Sequence, residues 1–305
     1  MRVIIPIAGL GTRLLPHTKR RQKCLLPVAE KPVLDHIVEP LLESGFDHIV
    51  LVTGYLEEQV KEYVKKFDAE FSFVRQEKAL GLGHAVFQGL EDSGEPVLIQ
   101  LGDVIYDIDF TDFCSSPHHI IAVNEVPDPQ RFGIVETEGD QIVAVHEKPE
   151  DPPTNLAIVG LYYLSRQKPM YDIICYLIDN NITTKGEIQL ADAYQYMIDR
   201  GEKIGFQPVS NYYDCGIPET FLTTNRALLK PSEYQIEGST INDPVFIGEN
   251  CIIRNSVVGP YVTVMDGATI IDSVVTDSIV LWNASIEGRK VDHEIVEEGK
   301  ARQIC

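Results

Sequence analysis

The sequence predicts an α/β protein with a mostly parallel mixed sheet, followed by a short left-handed parallel β-helix. Up to about residue 225, short apolar runs alternate with helical patterns of ten or more residues, which is typical of β/α crossover units. Between about 130 and 165 the helical patterns stop and strand-like runs follow one another. After Pro231 aliphatic residues recur every five or six positions, a period that indicates a β-helix.

The crossover part begins with strand and helix patterns that follow one another in order. The strand-like runs are VIIPIAG, HIVLVTG, FSFVRQ, PVLIQLGDVI and HHIIAVNEV, and the helical runs are PVLDHIVEPLLESG, LEEQVKEYVKKF and GHAVFQGLEDSG. Gly45, Gly54, Gly94 and Gly102 fall at the ends of these runs, where turns are needed. We therefore expect a mostly parallel sheet in this part.

The runs FGIVETEGDQIVAVHEKP and NLAIVGLYYLS predict an antiparallel insertion with a turn at residues 138–140. We expect this insertion to stand beside the parallel sheet and to form the far wall of a cleft. Helical patterning returns over residues 169–201, and a further helix is predicted near 218–230.

The C-terminal repeat is short. Its aliphatic residues lie at 247, 253, 258, 264, 270, 275, 280 and 286, with Gly, Asn, Asp and Ser between them. About three coils fit in this length, since one coil takes about three such repeats. The alternative is an array of edge hairpins. We predict a catalytic domain over residues 1–230 and a β-helix cap over 231–305.

Charge and composition exclude several classes of function. The formal net charge of −20 argues against binding to nucleic acid or to anionic lipid. No apolar run approaches the roughly 20 residues that span a bilayer, so we expect no membrane partner, and the opening RVIIPIAGL is better explained as a first strand than as a signal peptide. The six cysteines are scattered, which fits a reducing cytoplasm and no structural zinc.

The first 29 residues differ from the rest of this acidic chain, since they hold six Lys or Arg and no Asp or Glu. Such a bias predicts a local site for an anionic ligand, and a nucleoside triphosphate is the natural candidate. In AGLGTR, Gly9 and Gly11 would let backbone N–H groups approach phosphate oxygens. Arg13 and Lys23 would supply cations, whereas residues 19–21 are expected to form a solvated basic face.

Other phosphate-binding motifs fit this segment poorly. Leu14 takes the place of the third glycine of the dinucleotide fingerprint, which disfavours a dehydrogenase, and the Walker sequence Gly-Lys-Ser/Thr is absent. His84 in GLGHAV is expected to pack near the nucleotide loop rather than to act in catalysis.

The motifs together resemble the signature of the sugar-phosphate nucleotidyltransferases, which include thymidylyltransferases and uridylyltransferases acting on glucose 1-phosphate. The resemblance covers nearly the whole chain and implies a Rossmann-like fold. The motifs are GLGTRLLP, KCLLP, EKP after it, Gln76 with GLGHAV, LGDVI, FGIVE, a second EKP, NLAIVGLYYL, GEIQLADA and YYDCG.

The resemblance also implies the roles of single residues. Nucleotide-binding residues would be Ala8, Gly9, Gly11, Thr12, Arg13, Gln76, Gly81 and Asp103, where Gln76 and Gly81 read the edge of a pyrimidine base. Sugar-phosphate-binding residues would be Gly133, Glu147, Lys148, Gly160, Tyr162 and Glu187. Asp103 and Asp214 would hold Mg²⁺, and Arg13, Lys23 and Lys148 would complete the catalytic set.

The resemblance therefore implies an enzyme that transfers a nucleotidyl group from dTTP or UTP to a sugar 1-phosphate, most often glucose 1-phosphate, with release of pyrophosphate. Two alternatives stay open: the same reaction with another base or sugar, and a non-catalytic subunit that senses sugar nucleotides. An acyltransferase function of the β-helix is disfavoured because its coils contain no histidine and His293 is expected beyond them. We expect a cytoplasmic homo-oligomer.

Overall fold

The computed structural model describes residues 1–297, so the last residues of the predicted cap, 298–305 with Cys305, lie outside the described part. The chain forms two compact units. We call the first the sheet unit, which comprises Met1–Leu10 and Ile37–Tyr212. The second, the β-helix unit, comprises Gly11–His36 and the chain from Tyr213 onward.

The elements of the chain up to residue 228 include helices of both the α and the 3₁₀ type. The α-helices are α1 (Val33–Glu43), α2 (Glu57–Tyr63), α3 (Leu82–Gly89), α4 (Phe110–Phe113), α5 (Lys168–Asp179), α6 (Leu190–Asp199) and α7 (Pro218–Leu228). The 3₁₀ turns are Thr12–Leu14, His17–Lys19, Lys23–Leu25, Val64–Lys66 and Pro129–Arg131. The strands are β1 (Arg2–Pro6), β2 (Pro27–Val28), β3 (Lys31–Pro32), β4 (His48–Thr53), β5 (Glu70–Arg75), β6 (Val97–Gln100), β7 (Val104–Tyr106), β8 (His119–Glu125), β9 (Gly133–Glu138), β10 (Gln141–Glu147), β11 (Leu156–Leu164), β12 (Ile204–Pro208) and β13 (Tyr212–Asp214).

The strands of the C-terminal repeat are two or three residues long. They are β14 (Thr240–Ile241), β15 (Val245–Ile247), β16 (Ile252–Arg254), β17 (Val257–Val258), β18 (Val262–Val264), β19 (Thr269–Ile271), β20 (Val274–Thr276), β21 (Ile279–Val280), β22 (Ser285–Glu287), β23 (Lys290–Asp292) and β24 (Ile295–Val296).

The sheet unit is built on a nine-stranded sheet in the order β5-β4-β1-β6-β11-β8-β12-β10-β9. Its first half is parallel, since β1 pairs in parallel with β4 and β6, and β4 pairs in parallel with β5. Val3, Ile4 and Ile5 of β1 have no exposed surface. Such a continuous apolar run is expected of a parallel strand that is covered on both faces, and the predicted crossover units are confirmed.

The antiparallel insertion differs from the prediction in one respect. Strands β9 and β10 pair across the turn at Gly139, as predicted, and form one edge of the nine-stranded sheet, but the third strand of the insertion does not stand beside the sheet. Strand β11 lies inside it, antiparallel to both β6 and β8. The reason is its sequence, because LAIVGLYYL is buried at every position after Leu156, and only a central strand can bury both of its faces.

Helices α3, α5 and α6 pack against one another and share a core with the sheet. The fully buried Tyr194 of α6 stacks on Tyr162 of β11, with ring centroids 5.4 Å apart. No helix within residues 1–297 is both long enough and apolar enough to cross a membrane.

The C-terminal strands form three parallel sheets, β14-β17-β20-β23, β15-β18-β21-β24 and β16-β19-β22, the arrangement of a β-helix with three faces. Its core is a column of buried aliphatic side chains, in which Val258, Val275 and Val291 occupy equivalent places in successive coils. Tyr261, Asp277 and His293 stack at one corner with φ of 62°, 44° and 56°.

His293 is therefore not beyond the coils, and that expectation is wrong. Strands β23 and β24 continue two of the three sheets, and His293 occupies the corner between them. The apolar period continues through Val291 and Ile295, which the prediction overlooked because charged residues surround them.

Candidate active site

The basic loop, which we define as Gly11–Leu26, lies in the β-helix unit and carries three predicted nucleotide-binding residues as well as Lys23. Its three 3₁₀ turns are Thr12–Leu14, His17–Lys19 and Lys23–Leu25. Thr12 and Arg13 are exposed, whereas the neighbouring Leu14 is fully buried and anchors the first turn. The loop therefore presents backbone and cationic groups on a fixed base.

Gly11 and Lys23 are brought together inside this loop. Gly11 has a φ of 62°, and a Cβ atom there would lie 2.9 Å from Cγ2 of Thr18 and 3.2 Å from Cβ of Lys23. The Thr18 hydroxyl also donates to the Gly11 carbonyl oxygen at 3.0 Å. The conformation thus requires glycine, because an L side chain is strained at this φ and has no space.

The surroundings of two other residues of the basic loop, Arg21 and Cys24, limit what these residues can do. Arg21 is not part of a solvated face, because its guanidinium lies 3.9 Å from the centroid of the Trp282 ring, a cation–π contact. Burial raises the pKa of the Cys24 thiol well above its usual range, so this cysteine is no nucleophile.

Asp214, the second predicted metal ligand, also lies in the β-helix unit. It ends β13 and is half-buried. Its Oδ1 atom accepts a hydrogen bond from the Gly216 backbone N–H at 2.7 Å. The hydroxyl of Thr224 in α7 donates to the Asp214 carbonyl oxygen at 2.9 Å. A tight turn and a helix therefore fix the position of this carboxylate.

In the sheet unit, the segment after β1 runs close to the end of β4. The Tyr55 backbone N–H donates to the Ala8 carbonyl oxygen at 3.3 Å, and a Cβ atom on Gly54 would lie 2.7 Å from the same oxygen. A Cβ atom on Gly9, by contrast, would have no other atom within 4 Å. Ala8 is thus held in place, and the backbone at Gly9 is open to a ligand.

Gln76 and Gly81, the predicted base-reading pair, do lie together. The Gln76 amide nitrogen donates to the Gly81 carbonyl oxygen at 3.2 Å and to Nδ1 of His84 at 3.0 Å. Burial lowers the pKa of His84, which favours the neutral ring that can accept this bond. With both amide hydrogens used within the protein, the carbonyl oxygen is the group that Gln76 leaves for a ligand.

Asp103 lies in the turn between β6 and β7 and is half-buried. This is the end of a strand in the parallel half of the sheet, where ligands bind in open α/β sheets. Residues 1–297 contain no group of three or more His, Cys, Asp or Glu side chains that could hold a metal ion.

We call strands β9, β10 and β11 the inserted wall, and it carries most of the predicted sugar-phosphate residues. Lys148 Nζ lies 2.7 Å from Glu147 Oε1, and the Glu147 side chain is only 10% exposed. A Cβ atom on Gly133 would lie 3.5 Å from Glu147 Oε2. The structure therefore brings Gly133, Glu147 and Lys148 together, with a lysine and a carboxylate side by side.

Gly160 and Tyr162 lie on β11 within the same wall. Gly160 has a φ of 90°, and its carbonyl oxygen accepts a hydrogen bond from the Leu101 N–H at 3.0 Å, which ties the wall to the turn that contains Asp103. Burial raises the pKa of the Tyr162 phenol well above its usual range. Tyr162 is thus a neutral residue of β11 whose ring packs in the core.

Glu187 is exposed and lies next to Gly81, since a Cβ atom on that glycine would be 2.8 Å from Cβ of Glu187. The Gln189 amide donates to Glu187 Oε2 at 3.2 Å. Nearby, Lys185 Nζ donates to the Lys148 carbonyl oxygen at 2.9 Å. The nucleotide-side and sugar-side residues of the sheet unit are thereby connected through this segment.

Two residues that shape these sites could not be found from the sequence. Lys185 holds the backbone of Lys148, and Thr224 holds Asp214. Lys185 had adjacency to a motif as its only signal, and Thr224 had none. His84, which the sequence did single out, contacts the Gln76 amide. Arg13, Lys23 and Asp214 belong to the β-helix unit, whereas Gln76, Asp103, Glu147 and the rest of the wall belong to the sheet unit.

Comparison with known proteins adds independent information. Residues 2–231 match the model of the nucleotidyl transferase family. A glucose-1-phosphate thymidylyltransferase of Streptomyces griseus is 29% identical over 97% of this chain and 92% of its own length. The bifunctional protein GlmU of Methanococcus maripaludis is 35% identical over 85% of this chain, and that match spans only 61% of GlmU.

A solved structure gives the same picture for the fold. The crystal structure of a UDP-glucose pyrophosphorylase in complex with UDP-glucose is 28% identical, with a TM-score of 0.65. The match covers 74% of this chain and 97% of that one.

Proposed function

Since this chain belongs to the nucleotidyl transferase family, we propose that it transfers the nucleotidyl group of dTTP or UTP to a sugar 1-phosphate, most often glucose 1-phosphate, and releases pyrophosphate. The observation that carries the proposal is the extent of the family match, residues 2–231, which includes every residue given a role here. Relatives named for glucose 1-phosphate and UDP-glucose support the sugar.

On the nucleotide side, Ala8, Gly9, Gly11 and Thr12 would bind the triphosphate through the backbone, while Arg13 and Lys23 neutralise its charge. The Gln76 carbonyl oxygen is an acceptor, since both amide hydrogens are already used. An acceptor matches the N3–H of uracil or thymine. Relatives named thymidylyltransferase and UDP-glucose pyrophosphorylase support the choice of UTP or dTTP.

On the sugar side, Lys148 would bind the phosphate, and Gly133, Glu147, Gly160 and Glu187 would form the pocket for the sugar. Glu147 is the favoured partner for sugar hydroxyls because its carboxylate is mostly buried and is held by Lys148. When Lys148 turns to a phosphate, the carboxylate oxygen that it occupied becomes available to a hydroxyl donor.

The reaction needs little proton transfer. A phosphate oxygen of the sugar 1-phosphate attacks the α-phosphorus of the nucleotide, the bond to the β-phosphate oxygen breaks, and pyrophosphate leaves. Because the attacking oxygen is already anionic, alignment and charge neutralisation by Arg13, Lys23 and Lys148 are the main demands on the protein. Asp103 and Asp214 would hold Mg²⁺, which supplies charge neutralisation and orientation when bound.

The test is pyrophosphate release from five nucleoside triphosphates, each with several sugar 1-phosphates. We expect UTP or dTTP with glucose 1-phosphate to give the highest kcat/KM. Asp103→Asn should lower kcat by about 10²-fold or more without a change in thermal stability, whereas Asp107→Asn, an exposed carboxylate on the same segment, should keep the wild-type rate. Inactivity of the wild type towards every pair would leave only a non-catalytic role.

Further parts of the proposal concern the whole chain. We infer a catalytic domain over residues 1–230, a left-handed β-helix over 231–305 and a cytoplasmic homo-oligomer. The free thiols of Cys24, Cys114, Cys175, Cys215 and Cys251 support a reducing compartment. Light scattering on the purified chain tests the oligomer.

A further inference from the structure

One buried side chain, Asn225 of α7, joins the end of the basic loop to the β-helix. Its Oδ1 atom accepts a hydrogen bond from the Ala29 backbone N–H at 2.8 Å and another from the Thr263 hydroxyl at 2.7 Å. Asn225 is 1% exposed and Thr263 is fully buried. Buried hydrogen bonds of this kind hold their partners rigidly, because a lost partner leaves an unsatisfied polar group.

Ala29 has a particular need for this anchor. It lies in the turn between β2 and β3, just after the basic loop, and has a φ of 54° although it is not glycine. A non-glycine residue keeps this conformation only where its surroundings impose it. The hydrogen bond from Ala29 to Asn225 therefore fixes the point at which the loop re-enters regular structure.

The β-helix also touches the middle of the loop. Trp282, which follows β21, lies beneath the guanidinium of Arg21 at 3.9 Å. This contact lies between Arg13 and Lys23 in the sequence, so it bears on the part of the loop that separates the two proposed triphosphate cations. The β-helix thus contacts the loop at two separate points.

Helix α7 extends the same support to Asp214. Thr224, the residue before Asn225, donates its hydroxyl to the Asp214 carbonyl oxygen at 2.9 Å. Two residues after Thr224, Arg226 binds Asp277 of the β-helix corner through two hydrogen bonds of 2.6 and 3.1 Å. A single helix, fixed to the β-helix, therefore contacts both the Asp214 turn and the hairpin that ends the basic loop.

We propose that the β-helix positions the nucleotide-binding part of the enzyme, with Asn225, Thr263 and Trp282 as positioning residues for the basic loop. This rests on the proposed function and deepens it, since it gives the β-helix a role in triphosphate binding. None of these three residues belongs to the inserted wall, which is part of the sheet unit. The inference therefore requires an effect on the triphosphate that is absent for the sugar 1-phosphate.

The experiment removes one hydroxyl from the full chain. Thr263→Val keeps the shape of the side chain but loses the hydrogen bond to Asn225, whereas Thr263→Ser keeps that bond. Thr269→Val, on the neighbouring strand β19, is the matched control. We expect Thr263→Val to raise the KM for the triphosphate by roughly 5–10-fold, because small displacements of binding groups cost this much or more, and to change the KM for the sugar 1-phosphate by less than about twofold. Both other variants should behave as the wild type.

Trp282 provides a second measurement because the chain has one tryptophan. Its emission should change saturably as UTP or dTTP is added with Mg²⁺, and the midpoint should move to higher concentration in Thr263→Val. If Thr263→Val does not fold, the same titration on Arg21→Gln should show a smaller emission change and weaker triphosphate binding.

Equal changes in both KM values, or calorimetric triphosphate binding to the wild type with no change in emission, would overturn the positioning role. Failure of the wild type to bind either triphosphate or to release pyrophosphate would instead overturn the proposed function.

Discussion

On the proposed function, the basic loop and the inserted wall both bind phosphate groups, but they do so with different kinds of chemical groups. The loop consists of short 3₁₀ turns, a glycine at positive φ and cations, so much of its chemistry comes from the backbone. The wall consists of paired strands on which an acidic and a basic side chain are in contact at two places, Glu136 with His146 and, at the end of β10, Glu147 with Lys148. The loop is therefore recognisable in the sequence by its glycine turn and by the bias of the first 29 residues, which hold six Lys or Arg and no Asp or Glu. The wall has no such bias, because pairs of acidic and basic side chains are also common on ordinary protein surfaces.

The wall should therefore be the part that is most sensitive to loss of a single charge. Lys148→Met removes the proposed phosphate ligand and leaves the mostly buried Glu147 carboxylate without its partner. We expect kcat/KM for the sugar 1-phosphate to fall by about 10²–10³-fold, since unpaired buried charges and lost phosphate contacts are both costly.

Steady-state kinetics with each substrate varied in turn check this result. Lys168→Met, an exposed lysine on α5 that pairs with Asp92, is the control and should keep the wild-type constants. If Lys148→Met raised only the KM for the triphosphate, Lys148 would instead act with the basic loop in triphosphate binding.

Gly160 in the wall and Gly11 in the loop both have a positive φ, and substitutions at the two positions compare the stability of the two regions. At Gly160 in the wall, a Cβ atom would lie 2.8 Å from Leu101 Cδ1 and φ is 90°, so Gly160→Ala combines backbone strain with overpacking in a buried strand. We expect the free energy of unfolding to fall by about 2–4 kcal/mol. Urea denaturation measures it, with Gly133→Ala, where the nearest atom is 3.3 Å away and φ is ordinary, as the milder reference.

At Gly11 in the loop the cost should be smaller. The φ of 62° lies near the left-handed minimum that L-residues adopt at moderate cost, unlike the φ of 90° at Gly160, although a Cβ atom would lie 2.9 Å from the Thr18 methyl. Gly11→Ala should lower the free energy of unfolding by about 1–2 kcal/mol. Gly9→Ala, with open space around it, should change stability by less than about 0.5 kcal/mol. A larger cost at Gly11 than at Gly160 would reverse the comparison.

The smallest expected effect is the pH dependence of stability that comes from the hydrogen bonds of His293 with Asp277 and Glu219. The hydrogen bonds that the His293 ring donates to the Asp277 carboxylate and then to the Glu219 carboxylate raise the pKa of His293. The link therefore stabilises the fold fully below the unfolded pKa near 6.5 and is lost as the pH rises through the folded pKa. Because His293 is 40% exposed, we expect roughly 0.5 kcal/mol or less. His293→Asn, which tolerates the positive φ, should show a stability deficit at about pH 5.5 that disappears by about pH 8.5.

The sequence predicts periodic structure well and contacts between periodic parts poorly. The crossover strands and the three-faced repeat follow from apolar spacing, which burial imposes directly. The interior position of β11, the corner position of His293 and the stacking of Arg21 on Trp282 depend on long-range packing that no local pattern encodes. At the sites, family resemblance places Gln76 and Gly81 together, yet it cannot show that His84 uses one of the amide hydrogens of Gln76.

The hydrogen bond between Ala29 and Asn225 joins residues that are 196 positions apart, which has a consequence for synthesis. At about 5–20 residues per second, a ribosome needs roughly 10–40 s to reach the asparagine after it has made the alanine. Strands β1 and β4 can pair early in this interval. The basic loop gains its Asn225 anchor only at the end of this interval, so, on the proposed function, a nascent polypeptide would bind the triphosphate tightly only after Asn225 has been made.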